Sequence, residues 1–103
     1  MTGRLFAPQA LRELRQASVW IAKDNRGAAD ALLAAALRAA QQLAEKPQLG
    51  RVRLDLAPER FRFWALRGFP YLLVYDAEVQ PARIIRIAHM ARDLPVVLRD
   101  LDH

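Results

Sequence analysis

There is no cysteine in this chain, which removes disulfide staples, thiolate nucleophiles and sulfur-bound metals together. Ser18 is the only serine and Thr2 the only threonine, so a hydroxyl nucleophile would have to be one of these, and neither lies in a Gly-x-Ser-x-Gly elbow. Four scattered glycines, Gly3, Gly27, Gly50 and Gly68, make no phosphate-cradling loop. The two histidines, His89 and His103, fall in no His-Glu-x-x-His pattern and assemble no zinc site. Long apolar runs are missing as well. Asp30 and Arg38 bracket the longest, "ALLAAAL", against the roughly 18 residues a spanning helix needs. The opening "MTGRLFAPQ" has no apolar core of the secretory-signal kind. Hydrolase, nucleotide-binding, metalloenzyme and membrane readings all recede, no cofactor is expected, and a cysteine-free chain suits the cytoplasm.

What is present is a chain of 103 residues, 53% of them hydrophobic, enough for one compact core and therefore one domain over residues 1–103. Sixteen basic residues, all arginine except Lys23 and Lys46, stand against eleven acids for a net charge of +5. An acidic partner is implied, and nucleic acid or an acidic protein would serve equally. A GC-rich genome produces the same bias toward Arg and Ala, so charge alone does not choose.

Arg4 to Ala7, "RLFA", reads as a short extended segment, with Pro8 suited to the first turn of a helix. Leu11, Leu14, Ser18 and Ile21 recur at helical spacing up to about Lys23. "KDNRG" is a hinge in which Gly27 can take a left-handed conformation. A longer helix from about Ala28 to Glu45 carries the stripe Leu32, Ala36, Ala39, Ala40 and Leu43, and the short hinge predicts an antiparallel helical hairpin. Lys46, Pro47 and Gly50 close it. After Gly50 the period changes to two. "FRFWAL" (Phe61 to Leu66), "YLLVYD" (Tyr71 to Asp76) and "RIIRIAH" (Arg83 to His89) read as strands, and Pro95 can start one further helical turn. The expected fold is α+β, of order β-α-α-β-β-β, with the helical hairpin packed on a mostly antiparallel sheet. Both parities of "YLLVYD" are apolar, Tyr71, Leu73 and Tyr75 on one face, Leu72 and Val74 on the other. An apolar second face implies a partner covering it.

In order and spacing, "FAPQALREL", "KPQLGR", "FRFWALRGFPYLLVYD" and "RIIRIAHMARDLP" resemble the ParE/RelE superfamily of bacterial toxins, and more closely its ParE, plasmid-stabilisation branch. That resemblance implies the fold above and the toxin half of a type II toxin–antitoxin system. It also implies an acidic, ParD-like antitoxin whose disordered tail folds across the toxin. ParE-type members poison DNA gyrase and cut nothing themselves; RelE-type members are ribosome-dependent endoribonucleases using basic residues on the concave sheet face. The ribonuclease's two lysines would fall at Phe63 and Ala65, its next-strand arginine at Leu72 and its last basic residue near Met90. None of these side chains can donate a proton or stabilise phosphate charge. A one-residue slip would bring Arg62 and Arg86 into play. The reading is thus a gyrase-directed toxin causing growth arrest, with no sequence-specific nucleic-acid binding of its own. Two alternatives stay open: a RelE-type mRNA endonuclease, and a non-toxic remnant that only binds antitoxin.

Antitoxin contacts are expected at Phe63, Ala65, Leu72 and Val74 on the second face, with Arg86. The parity that turns Ile85 and Ile87 toward the helices turns Arg86 to the partner, with Arg83 opposite if the strand is regular. Arg62, Trp64, Arg67, Phe69 and Tyr71 interleave cations with rings as a base-stacking surface does, but strand alternation is the better account of them, with Trp64 as core or groove. His89 with Asp93 is a conceivable His-Asp pair, but a strand-end histidine bonded to a neighbouring loop is the plainer account. Arg92 and Asp93 read as a local salt-bridged cap. Trp20 is expected to cover the hinge, and the segment Arg92 to Leu101 is where a gyrase contact would be sought.

Overall fold

The computed structural model describes residues 2–101; Met1, Asp102 and His103 lie outside the described residues. A helical pair followed by an antiparallel meander is what forms. A turn of helix, α1 (Thr2–Leu5), precedes α2 (Pro8–Ala22) and α3 (Arg26–Glu45), and four strands follow: β1 (Arg51–Val52), β2 (Phe61–Ala65), β3 (Tyr71–Asp76) and β4 (Arg83–His89). Strand order in the sheet is the chain order, and every pair is antiparallel. A four-residue helix, α4 (Leu94–Val97), and a 3-10 turn at Arg99–Leu101 end the described chain. No helix among the described residues is long and apolar enough to cross a membrane.

The opening strand expected at "RLFA" is reduced to one residue. Phe6 makes a lone parallel bridge to Ile84, and the Ala7 N–H donates to the Ile84 carbonyl at 2.7 Å. Helix occupies Thr2–Leu5 before it and starts again at Pro8, so no room remains for a ladder; Phe6 is anchored instead by its buried ring. An unanticipated strand, Arg51–Val52, takes the other edge, pairing with Phe63 and Arg62.

The α2 stripe is rotated from the expected one. Ala10, Leu14 and Ala17 are buried with Ile21 packed beside them, while Leu11 is exposed. Leu11 is left at the rim, in a shallow surface hollow with Leu33 of α3. The α3 stripe is as read, with Leu32, Ala36, Ala39, Ala40 and Leu43 all buried. α3 starts at Arg26 because the Asn25 side chain accepts the Ala28 N–H at 3.0 Å, capping the helix. Gly27 therefore sits in its first turn, and among the described residues the only glycine with positive φ is Gly68, at 86°, in the β2–β3 turn. Trp20 does not close the hinge; it is 67% exposed, with the Lys23 ammonium 4.7 Å from its ring centroid.

Two apolar layers sandwich the sheet. On the helical side Phe6, Leu14, Leu32, Leu43, Leu73, Tyr75, Ile84 and Ile87 form the larger cluster. Tyr75 carries a polar clasp inside it. Its hydroxyl donates to the Pro47 carbonyl at 2.6 Å and accepts the Gly50 N–H at 2.8 Å, tying the segment after α3 to the central strand. On the other side Phe63, Leu72 and Val74 pack with Leu56, Ala57, Leu98 and Leu101. The second face is thus apolar, as read, but much of its cover comes from the chain's own β1–β2 loop and C-terminal turns.

Candidate functional site

β4 is not a regular strand. Tyr75 pairs with Ile84 and Val74 with Arg86, so Ile85 is an extra residue opposite a single step of β3. The bulge resets the alternation: Ile84 and Ile87 face the helices, while Ile85, expected among them, packs on the second-face cluster. It also removes the premise that set Arg83 and Arg86 on opposite faces.

Arg86 opposes Val74, as its expected orientation requires, yet it is committed within the chain. Its Nε donates to both Glu13 carboxylate oxygens at 3.2 and 3.0 Å, and its Nη2 to Oε2 at 2.8 Å. The Glu13 carboxylate also takes the Ile87 N–H at 2.7 Å. From the other side of the guanidinium, Nη1 reaches the Val97 carbonyl at 3.1 Å and Asp100 at 2.8 Å. α2, β4 and the C-terminal turns are thereby joined through one cation. The Arg86 and Glu13 side chains are only 12% and 13% exposed, whereas Asp100 is 64% exposed. Hydrogen bonding to Glu13, reinforced by both carboxylates' charge and opposed by burial, holds the guanidinium's pKa above its ordinary value.

The remaining arginines of the sheet divide into engaged and free. Arg62 donates to the Gly50 carbonyl at 2.9 Å and so buttresses the turn after α3. Arg83 donates to the Gly3 carbonyl at 3.2 Å, and its Nε is buried without a partner. Arg60 grips Asp76 with two bonds, the shorter 2.8 Å. Among the described residues the Arg92 guanidinium makes no hydrogen bond or ion pair, and the expected Arg92–Asp93 cap does not form. Asp93 instead stands at the N-cap of α4 without a side-chain cap bond, and its carbonyl takes the Val97 N–H. His89 follows the plainer account: its Nδ1 accepts the Ala91 N–H at 3.0 Å and its ring meets Tyr71 edge-on at 5.1 Å. No His89–Asp93 hydrogen bond is present among the described residues.

The expected antitoxin residues come together only in part. Phe63, Ala65 and Leu72 line an open groove of about 400 Å³ with Leu49, Arg51, Arg53 and the edge of Trp64. Phe63 and Leu72 also belong to the covered cluster, and Val74 has no exposed surface at all, so the groove is the uncovered remnant of a larger apolar face. A larger cleft, about 750 Å³, opens between α2, the C-terminal half of β4 and α4; Glu13, Trp20, Tyr71, Arg86, His89 and Arg92 are on its walls. No group of three His, Cys, Asp or Glu among the described residues could hold a metal ion.

Helical hairpin and antiparallel meander agree with a match across most of the chain. The family model described as the ParE toxin of the type II toxin–antitoxin system parDE covers residues 5–94. The chain belongs to the ParE toxin family. No individual curated protein gives a significant match. Against that family frame, sequence reasoning missed Glu13 and Asp100. Glu13 meets Arg86 across 73 residues and Asp100 across 14, and neither lies in a local motif that signals it.

Proposed function

We propose that this ParE-family chain poisons DNA gyrase, stabilising the enzyme's cleaved-DNA state, and is held silent in the cytoplasm by a cognate acidic antitoxin. The observation that carries the reading is the family match over residues 5–94. Two features support it further. The net charge of +5 suits an acidic neutralising tail, and the groove on the second face presents Phe63, Ala65 and Leu72 where an RNA-cleaving relative would need cations. Phe63, Ala65 and Leu72 are the groove residues proposed to receive the antitoxin, with Val74 buried in the cluster behind them and Arg86 contributing from the separate cleft between α2, β4 and α4.

The test incubates the purified chain with gyrase, ATP and supercoiled plasmid, followed by detergent and protease treatment. Protein-linked linear DNA that accumulates only with gyrase present is the expected result. Its absence, combined with loss of intact mRNA on ribosomes in a translation extract, would replace this reading with a nuclease. Absence of both, with tight antitoxin binding and normal growth on induction, would leave an antitoxin-binding remnant.

A further inference from the structure

The two carboxylates on Arg86 are unequal. Glu13 is nearly buried, shares three hydrogen bonds with the guanidinium and adds the Ile87 N–H, so it is a permanent part of the fold. Asp100 offers one bond at 2.8 Å from a mostly exposed side chain in a three-residue 3-10 turn. We propose that Asp100 is a placeholder. The Nη1 edge of Arg86 is a carboxylate-binding site that, in a complex, takes an acidic side chain from a partner peptide running in the cleft between α2, β4 and α4. This deepens the antitoxin reading above and rests on it for the partner's acidity.

Three observations converge on that cleft. Arg92, on its wall, is exposed and free of hydrogen bonds and ion pairs among the described residues. His89 has Nδ1 occupied as an acceptor, which places the ring proton on Nε2, so the side chain offers a donor. Trp20 and Val96, 67% and 52% exposed on α2 and α4, give apolar anchors on two walls. The charge pattern selects a peptide over nucleic acid. A phosphodiester strand needs a run of unpaired cations, whereas the cleft wall carries two arginines, Arg86 and Arg92, and the first is already bonded to Glu13 and Asp100, so at most one or two carboxylates find a position there.

An internal competitor lowers apparent affinity by the fraction of molecules in which it has let go. A single exposed ion pair closes by a modest factor, so removing Asp100 should tighten binding of an acidic peptide about two- to fivefold. The test uses the full chain and fluorescein-labelled N-acetyl-hexaglutamate at low ionic strength, read by anisotropy. Asp100→Asn is expected to bind about two- to fivefold tighter than the unaltered chain, and Arg92→Gln to bind severalfold weaker, with melting temperatures little changed. Equal or weaker binding by Asp100→Asn would overturn the proposal, as would tighter, Arg92-dependent binding of hexathymidylate, which would make the cleft a nucleic-acid site. The gyrase assay run on the same proteins separates the two ideas. Failure to poison gyrase removes the functional reading without touching the peptide result, and an unaffected peptide titration with retained poisoning removes only the placeholder.

Discussion

Removing the Tyr75 hydroxyl is the sharpest probe of how this sheet is tied to its helices. The ring is completely buried in the helical-side cluster, and its oxygen donates to Pro47 at 2.6 Å and accepts from Gly50 at 2.8 Å. Tyr75→Phe keeps the ring and its packing but strands the Gly50 N–H in a buried site; the Pro47 carbonyl, only partly buried, can recover water. Leaving one buried group unsatisfied costs about 1–3 kcal/mol, and losing a second, replaceable bond adds about 0.5–1, so the variant should lose roughly 2–3 kcal/mol. At about 4–8 °C per kcal/mol for a chain of this size, the melting temperature should fall by roughly 10–20 °C in a circular-dichroism melt. Gly50→Ala attacks the same clasp from the other side. An added Cβ would lie 2.5 Å from the Tyr75 Oη, 2.6 Å from Cε1 and 2.9 Å from Cζ, and the buried ring has nowhere to swing. Because two of those atoms are ring carbons, Tyr75→Phe should not rescue Gly50→Ala. A Tyr75→Phe melt within about 2 °C of the parent, or full rescue in the double variant, would refute the reasoning.

Arg86→Gln leaves Glu13 nearly buried without its cation, and roughly 2–4 kcal/mol should be lost in urea unfolding, more than for Asp100→Asn, which removes only an exposed partner. Leu98→Ala opens a cavity under a fully buried side chain on the second face and should cost about 2–4 kcal/mol, measured the same way; a cost under about 1 kcal/mol would mean that the C-terminal turns are not bound to the sheet. Burial raises the Tyr75 pKa above its usual value of 10.0, against smaller opposing effects of the Gly50 N–H and Arg62. Stability from keeping the phenol neutral is therefore complete below pH 10 and drains away as pH rises through the higher folded-state value. Tyr75→Phe should flatten that alkaline decline, and an unchanged slope would assign the decline to other groups.

What could be read from the chain was what neighbours in sequence decide. β2, β3 and β4 lie where alternating Phe, Trp, Tyr, Leu and Ile put them, and Gly68 supplies the positive φ their first turn needs. The α3 stripe was legible because leucine and alanine at helical spacing leave one face to bury. On α2 the choice fell between Leu11 and Ala10, and the fold buries the smaller residue, a tertiary preference that periodicity cannot carry. The bulge at Ile85 escaped for a similar reason. "RIIRI" alternates no worse than a regular strand, and only pairing with Tyr75 and Val74 shows which isoleucine is extra. Candidate site residues fared alike: His89 behaved as its position suggested, while Arg86 was placed on the right face but not matched to Glu13, because nothing local joins α2 to β4.

The second face shows how an apolar pattern can be read correctly while part of its cover comes from a neighbour the pattern does not name. Leu72 and Val74 demand apolar cover, and an incoming partner is one way to meet that demand. The chain meets much of it itself. "LPVVL" places Leu98 on the sheet after Asp93 turns the backbone into α4, and the Arg86 bonds to Val97 and Asp100 fix those turns from the flank. The bulge makes this possible, because with Ile85 taken up as an extra residue, Arg86 can hold α2 on one side and the C-terminal turns on the other. Two separate surfaces stay open: the remnant groove at Ala65, Phe63 and Leu72, and the cleft where Arg92 is free among the described residues, beside the Arg86 guanidinium that Asp100 holds from an exposed turn. Apolar contacts in the first would supply affinity, and carboxylates in the second would set partner choice, because a desolvated ion pair adds little net energy but penalises a mismatch heavily.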